Sequence, residues 1–310
     1  MTKLFFLCRR RGDLTHDEYV ERLLGGHVPL ALAHHPTLRR YVVNVVEGTR
    51  GPAPPLDSIG TLWFDSLADY RERLYDSPGG ERAIAGDVAG FLGRADAYAT
   101  TEHVQRAPAE PPSLGPTPGV KLLVALGRAP GQTREDFLRH WLERHVPLAL
   151  EHHGMSRYVT SVVEERLGVD APPYDGFAEI HFASPEDLER RLYLSAEGKA
   201  AIERDVGRFL GTIHAYYVAE HVARWVEHRP GRFSIRVGDA EAFLVYERRG
   251  DVLDLLHTYT PPALRGRNLA AELTRAALEH ARAEGLRVVP TCPYTRRYLA
   301  RHPELRGLVG

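Results

Sequence analysis

The sequence predicts an α+β protein: two ferredoxin-like (βαββαβ) repeats that form an intramolecular α+β barrel, followed by a smaller, unrelated C-terminal unit. Three observations carry this expectation. The segment His-Val-Pro-Leu-Ala-Leu-x-His-His occurs twice, at 27–35 and 145–153. Around it, Lys3-Leu4 matches Lys121-Leu122, Asp57 matches Asp175, Phe91-Leu92-Gly93 matches Phe209-Leu210-Gly211, and Glu102-His103-Val104 matches Glu220-His221-Val222. A one-residue slip aligns Tyr41 with Tyr158. Solenoid repeats run at roughly 20 to 50 residues, so a period this long is a duplicated globular domain. The third observation is that the text after the second copy matches neither.

Each element follows from local pattern. In the first copy Lys3–Arg9 is an apolar strand, and Thr15 with Glu18 three residues later opens a helix as a capping box. Arg40–Glu47 and Ile59–Phe64 are rich in Val, Ile and aromatics and are expected as strands, with a Pro/Gly loop at Gly48–Pro55 between them. Ser66–Leu92 is helical in character, interrupted at Ser77-Pro78-Gly79-Gly80, and Ala95–Val104 is the last strand. The second copy repeats the order with Lys121–Leu126, Arg134–His152, Arg157–Glu164, Phe177–Phe182, Pro185–Leu210 and Ile213–Val222. One such unit leaves a sheet face uncovered, and a second identical sheet covers it without a partner subunit. The expected domains are 1–105, a Pro-rich spacer at 106–119, 120–223, and 224–310.

Composition narrows the function class. Formal net charge is −1, so nothing steers the whole chain towards nucleic acid or anionic membrane. No apolar run approaches the roughly 18 residues of a membrane span. The arginines after Lys3–Leu7 stand on the wrong side of the apolar run for a signal peptide. Two cysteines, Cys8 and Cys292, make no disulfide framework and no CxxC metal site, so a reducing cytoplasm is the expected compartment. The expected partner is a small molecule, not nucleic acid or membrane, with the chain a monomer or a homodimer.

Strand alternation selects the candidate chemistry. Ala178, Ile180 and Phe182 form an apolar face suited to packing beneath helices, which directs Phe177, Glu179 and His181 to the barrel interior. The first copy has Ile59, Thr61 and Trp63 there, so the duplication diverged towards acid/base groups on one wall. Glu179 and His181 are expected to handle proton transfer, or to be a polar pair at a solvated edge. His145 and His214 are possible assistants, the latter sharing a strand face with Tyr216 and Val218. Pro147 is expected to break the helix between His145 and His152, and Tyr158, like Tyr41, is expected to present a phenol to the lumen. The paired histidines at 34–35 and 152–153 lack a carboxylate or cysteine at ligand spacing, so no metal site is expected and a role in capping carbonyls is.

Two resemblances follow from motifs. Phe137, Leu138, Trp141, His145, Pro147, Leu148 and Ala149 resemble the EthD family of dimeric α+β barrels, with Leu24 taken as the first-copy counterpart of Trp141. That resemblance implies a small aromatic or polyketide-like substrate and chemistry without a barrel cofactor: cyclisation, decarboxylation or oxidation. From about Arg232, the run Arg265-Gly266-Arg267-Asn268-Leu269-Ala270, the helix at 271–284 and Cys292-Pro293-Tyr294 resemble the minimal YjdJ-type branch of the GNAT acetyltransferases. This implies acetyl-CoA, with its pyrophosphate on backbone N–H groups at a helix N-terminus. Asn268 stands where the family's loop has its second glycine. Cys292, expected to end a strand near the thioester, is a nucleophile or a buried packing residue, and Tyr294 a possible acid. Three functions remain open: a natural-product tailoring enzyme acting in the barrel, an acetyl-CoA-dependent N- or O-acyltransferase whose acceptor the barrel presents, and a metabolite-binding or resistance protein without turnover.

Overall fold

The computed structural model describes residues 1–310 apart from the side chains of residues 304 and 306. It divides into two compact units, Met1–Glu110 with Pro116–Ala223, and Pro111–Gly115 with Arg224–Gly310. Residues 111–115 thus pack with the last unit and are no free spacer, Leu114 donating its N–H to the Arg236 carbonyl at 2.9 Å.

In the first unit each repeat is built alike. Repeat one runs β1 (Thr2–Arg10), α1 (His16–Glu21), a π-helical turn (Arg22–His27), α2 (Val28–His34), β2 (Arg40–Arg50), β3 (Ser58–Phe64), α3 (Leu67–Glu72), α4 (Pro78–Phe91) and β4 (Leu92–Arg106). The short β5 (Gly115–Pro116) precedes repeat two: β6 (Val120–Arg128), α5 (Arg134–His140), a π-helical turn (Trp141–His145), α6 (Val146–His152), β7 (Arg157–Arg166), β8 (Gly176–Phe182), α7 (Pro185–Arg191), α8 (Ala196–Phe209) and β9 (Leu210–Trp225). Thr15 and Glu18 form the expected capping box. The prolines do not break the chain's helical course. Pro147 sits in the first turn of α6, where its missing N–H costs least, and the wide π turn before it absorbs the misfit.

The strands join in the order β2-β3-β1-β4-β7-β8-β6-β9, and β9 pairs back onto β2. The barrel therefore closes within one chain, and its interior is narrow enough for side chains to fill. Towards one end Phe5 and Phe177 stack at 4.2 Å between Tyr98 and Tyr216, whose hydroxyls donate to the carbonyls of Pro172 and Pro54 at 2.9 and 3.0 Å. The outer sheet faces pack beneath the helices around Leu4, Val43, Leu62 and Phe64 in repeat one and Leu122, Val124, Ile180 and Phe182 in repeat two.

The second unit is a five-stranded sheet, β10 (Glu227–Arg229), β11 (Arg232–Val237), β12 (Ala240–Arg249), β13 (Val252–Tyr259) and β14 (Arg287–Val289), with α9 (Leu269–Ala283) and α10 (Pro293–Arg301). The amphipathic α9 buries Leu269, Leu273, Ala277 and Ala281 against Phe233, Leu244, Leu253 and Val288. Among the described residues no helix is long and apolar enough to cross a membrane.

Candidate functional site

The barrel interior holds the predicted acid/base pair in an unforeseen setting. Glu179 and His181 do point inward, but they join a buried ion network with Lys3, Lys121, Glu102, Glu220 and Arg157. Glu179 lies between two ammoniums, one from each repeat: Oε2 faces Lys3 and Oε1 is 2.5 Å from Lys121. Lys3 also reaches Glu102 at 2.8 Å, and Lys121 reaches Glu220 and the Asn44 amide oxygen, both at 2.8 Å. Glu220 further accepts from Arg157 at 2.5 Å and lies 3.3 Å from His181 Nε2. Burial alone would raise the Glu179 carboxyl, but Lys121 and Lys3 outweigh it and hold it down at about 2. Burial also lowers His181 despite Glu220, favouring the neutral ring. A carboxylate so firmly ionised is a poor base, because its proton affinity has been spent on two cations. The network fastens the two repeats to each other.

The other predicted residues lie apart from this cluster. His145 sits on the helical side, its Nδ1 2.9 Å from Asp205, which also faces His140 Nε2 at 2.8 Å. His214 meets the Tyr174 hydroxyl at 2.6 Å. Tyr158 does not reach the lumen: it lies in the helix-covered core of repeat two with Trp141 and Ile180. His35 and His153 bond through Nδ1 to the carbonyls of Leu74 and Leu192, so this duplicated pair ties each helical layer together.

A cavity of about 230 Å³ lies in repeat one, between the outer sheet face and the helices. Strand registers make the comparison with repeat two exact residue by residue, since Cys8 opposes Ser58 as Leu126 opposes Gly176. The common spacing from His27 and His145 places Leu23, and not Leu24, at the position of Trp141. Trp141 is fully buried, and a β-carbon on Gly176 would overlap its ring at Cζ3 and Cη2. Repeat one has Leu23, Cys8 and Gly60 where repeat two has Trp141, Leu126 and Ala178, all smaller. Close packing leaves little slack, so these losses open a hollow.

The hollow is also more polar than its filled counterpart. Tyr19 replaces Phe137 and Ser58 replaces Gly176, and their hydroxyls meet at 2.7 Å. Cys8 lies beside them, its thiol pushed up to about 12 by burial, although hydrogen bonds from Ser58 and Tyr19 oppose the shift. Burial likewise raises the phenols of Tyr19 and Tyr41, so this wall offers neutral hydrogen-bond donors. His27 lines the same cavity, with Nδ1 2.8 Å from Asp87 Oδ2 and its ring 5.2 Å from Phe91. His35, lowered by burial to about 4, contributes a neutral ring. Repeat two keeps an aspartate at the place of Asp87, but Asp205 is shared by two histidines.

In the second unit, β13 and β14 pair in parallel only as far as Asp254 and Val289. Beyond that point a groove of about 500 Å³ is lined by Thr258, Tyr259, Arg265, Gly266, Asn268 and Tyr294, with Leu269 and Ala270 at the start of α9. Gly266 has φ +82°, and Asn268, the N-cap of α9, has φ 61° and ψ 11°. Asparagine tolerates this left-handed conformation better than most residues, so the loop keeps its course without the second glycine. Arg267 is exposed on the same loop. Cys292 does not end a strand but caps α10, buried, with its thiol 3.6 Å from the Thr258 hydroxyl. Burial would raise that thiol, but hydrogen bonds from Thr295, Thr258 and Tyr294 outweigh it and bring it below the usual range.

Comparisons with known proteins agree with this architecture. A family model described as EthD domain matches residues 11–95 and 129–213, and one described as GCN5-related N-acetyl-transferase matches 232–308. Protein NATD1 of Mus musculus is 40% identical over 83 residues, covering 25% of this chain and 76% of that protein. Its Homo sapiens counterpart is 39% identical over 83 residues, covering 25% of this chain and 74% of its own length. A solved anthrone oxidase-like protein superposes with a TM-score of 0.51 at 10% identity, over 72% of this chain and 92% of that one, a likeness of fold alone. The chain thus belongs to the EthD family, with two EthD domains in tandem followed by a GCN5-related N-acetyltransferase-like domain.

Proposed function

We propose that the protein is a small-molecule tailoring enzyme whose active site is the first-repeat cavity, where His27 moves a proton on a mostly apolar carbonyl or phenolic substrate. The carrying observation is the contrast between repeats: one is hollow, with hydroxyls and a His27 ring held by Asp87 on its wall, and its twin has the buried Trp141 indole in the corresponding place. Apolar enclosure with a few placed polar groups suits a small ring compound.

The chemistry follows from the residues. Asp87 accepts from Nδ1–H of His27 and so favours the tautomer whose Nε2 is free to accept a proton. Tyr19 and Ser58 together carry two hydroxyl protons, and their mutual bond uses one. The other faces the Cys8 sulfur and can turn to a substrate oxygen. Nε2 then takes a proton from the carbon beside a carbonyl, the C–H electron pair becomes a C=C bond, and the developing enolate oxygen receives the donated hydrogen bond. His27 returns its proton to the far carbon of a conjugated enolate, which isomerises the substrate, to the alkoxide formed when the enolate carbon attacks a second carbonyl, which closes a ring, or to a departing hydroxyl, which releases water. No oxidant enters the balance.

The test is deuterium exchange at C1 of 2-tetralone in D2O, followed by NMR. The wild type is expected to accelerate it, His27→Gln to abolish the acceleration, and His181→Ala to retain it. Acceleration that survives in His27→Gln, or none in the wild type, removes the assignment.

A second activity is favoured by the left-handed Asn268 and the open groove beside α9. We propose that this domain binds acetyl-CoA, with the backbone of Gly266–Ala270 receiving the pyrophosphate; space around Gly266 is open, as such an approach requires. Acetyl-CoA, when bound, supplies an activated acetyl thioester. Thr258 and Tyr294 would flank its acyl end. Calorimetric titration with acetyl-CoA tests this, with heat absent at millimolar ligand as the contrary result.

A further inference from the structure

We infer that repeat two contains the same binding site in sealed form, and that the indole of Trp141 is its built-in occupant. The ligand class this sealed site would take, once emptied, is an uncharged fused aromatic bicycle.

Position is the first argument. Trp141 and Leu23 are equivalent residues on equivalent π turns, and Leu23 lines the open cavity. The indole therefore fills in one repeat the region that is empty in the other. The second argument is complementarity. Gly176 leaves no room for a β-carbon against the ring, and Ser58, its counterpart, lines the cavity where no such ring exists. Phe137 packs against the indole at 5.6 Å, on the site where Tyr19 has its hydroxyl. Ring, glycine and phenylalanine form one mutually fitted set, and leucine, serine and tyrosine form the other.

The third argument concerns what the plug touches. Tyr158 lies beside Trp141, and its counterpart Tyr41 lines the open cavity. The walls on the helical side are also shared: Ile84 and Val88 in one repeat correspond to Ile202 and Val206 in the other. The two sites thus share a frame and differ in occupant. Removing the indole leaves a mostly apolar cavity walled by Phe137, Ile202, Ile180 and Phe209, with the Tyr158 phenol at one side, which accepts an aromatic ring. With Phe137 and Gly176 in place of the hydroxyl pair, this site lacks the polar anchor of repeat one. Its occupants are selected by shape, and it is not expected to support proton transfer.

The inference rests on the first-repeat reading only for the number of sites in the wild type. Equilibrium dialysis with 2-naphthol counts them. One site is expected in the wild type, two in Trp141→Ala, and none in the Leu23→Trp/Ser58→Gly double variant, which transplants the plug and its glycine. Trp141→Leu, carrying the first repeat's own residue, replaces Trp141→Ala where the alanine chain does not fold. A folded Trp141 variant with no more sites than the wild type overturns the proposal, as does a double variant that retains its site. No site in the wild type but one in Trp141→Ala upholds the sealed site and instead removes the first-repeat reading.

Discussion

Glu179→Gln keeps the side chain's size and removes the carboxylate that lies between a buried lysine from each repeat. In the native barrel each carboxylate oxygen faces a different buried lysine, and Glu179 is only 4% exposed. Breaking a buried ion pair by neutralising one partner costs about 3–5 kcal/mol, because the other charge is left under-compensated. Here each ammonium keeps a second carboxylate, Lys3 with Glu102 and Lys121 with Glu220, each at 2.8 Å. The cost should therefore fall at the low end, about 3 kcal/mol. For a unit of this size, that corresponds to a fall of roughly 6–12 °C in Tm. The pH dependence has a definite sign. The native carboxyl is lowered from 4.5 to about 2, so its contribution is complete above the unfolded value and lost as pH falls towards the folded one. Differential scanning calorimetry of both proteins across that range is the assay. The gap between them should be full at neutral pH and narrow steadily on acidification through 4.5 towards 2. Equal Tm values at neutral pH, or a gap indifferent to pH, would refute the view that this network fastens the barrel.

Further outcomes follow from the same geometry. Gly176→Ala drives a methyl into the Trp141 ring and should cost about 1–3 kcal/mol in urea unfolding, an overpacking effect. Asn268→Gly should leave acetyl-CoA binding intact, whereas Asn268→Val, forced into a left-handed conformation at about 1–2 kcal/mol, should weaken it in the same titration. Tyr19→Phe removes the hydroxyl that meets Ser58 and should slow exchange on 2-tetralone, at a cost in urea unfolding of about 1–3 kcal/mol for the buried Ser58 hydroxyl left behind. Asp87→Asn should impair exchange as His27→Gln does, since the His27 ring loses the carboxylate that sets its tautomer.

Much of the frame was legible in the sequence, because a duplication fixes equivalences that no single copy reveals. The Thr15–Glu18 capping box and the inward turn of Glu179 and His181 followed from local spacing and alternation. Alternation carries a further signal: Lys3 shares a face with Phe5 and Leu7, and Lys121 with Leu123 and Ala125. Two lysines on interior faces, matched by duplicated Glu102 and Glu220, announce a buried ion network. Alternation does not fix the side of Tyr158, because an aromatic residue fits either face of a strand. The helical course through Pro147 is not legible either, because a π turn has no simple sequence signature. The cavity itself was illegible for a different reason. It depends on the volumes of Leu23, Cys8 and Gly60, which only the tertiary fold brings to one place.

The most direct test of the account is crystallographic: crystals soaked in 6-bromo-2-naphthol, with the bromine located by anomalous scattering. The account predicts a peak in repeat one, among Leu23, Ser58, Gly60 and Tyr41, and none in repeat two. A peak beside Glu179 and His181 in the barrel interior, with the first-repeat cavity empty, would contradict it.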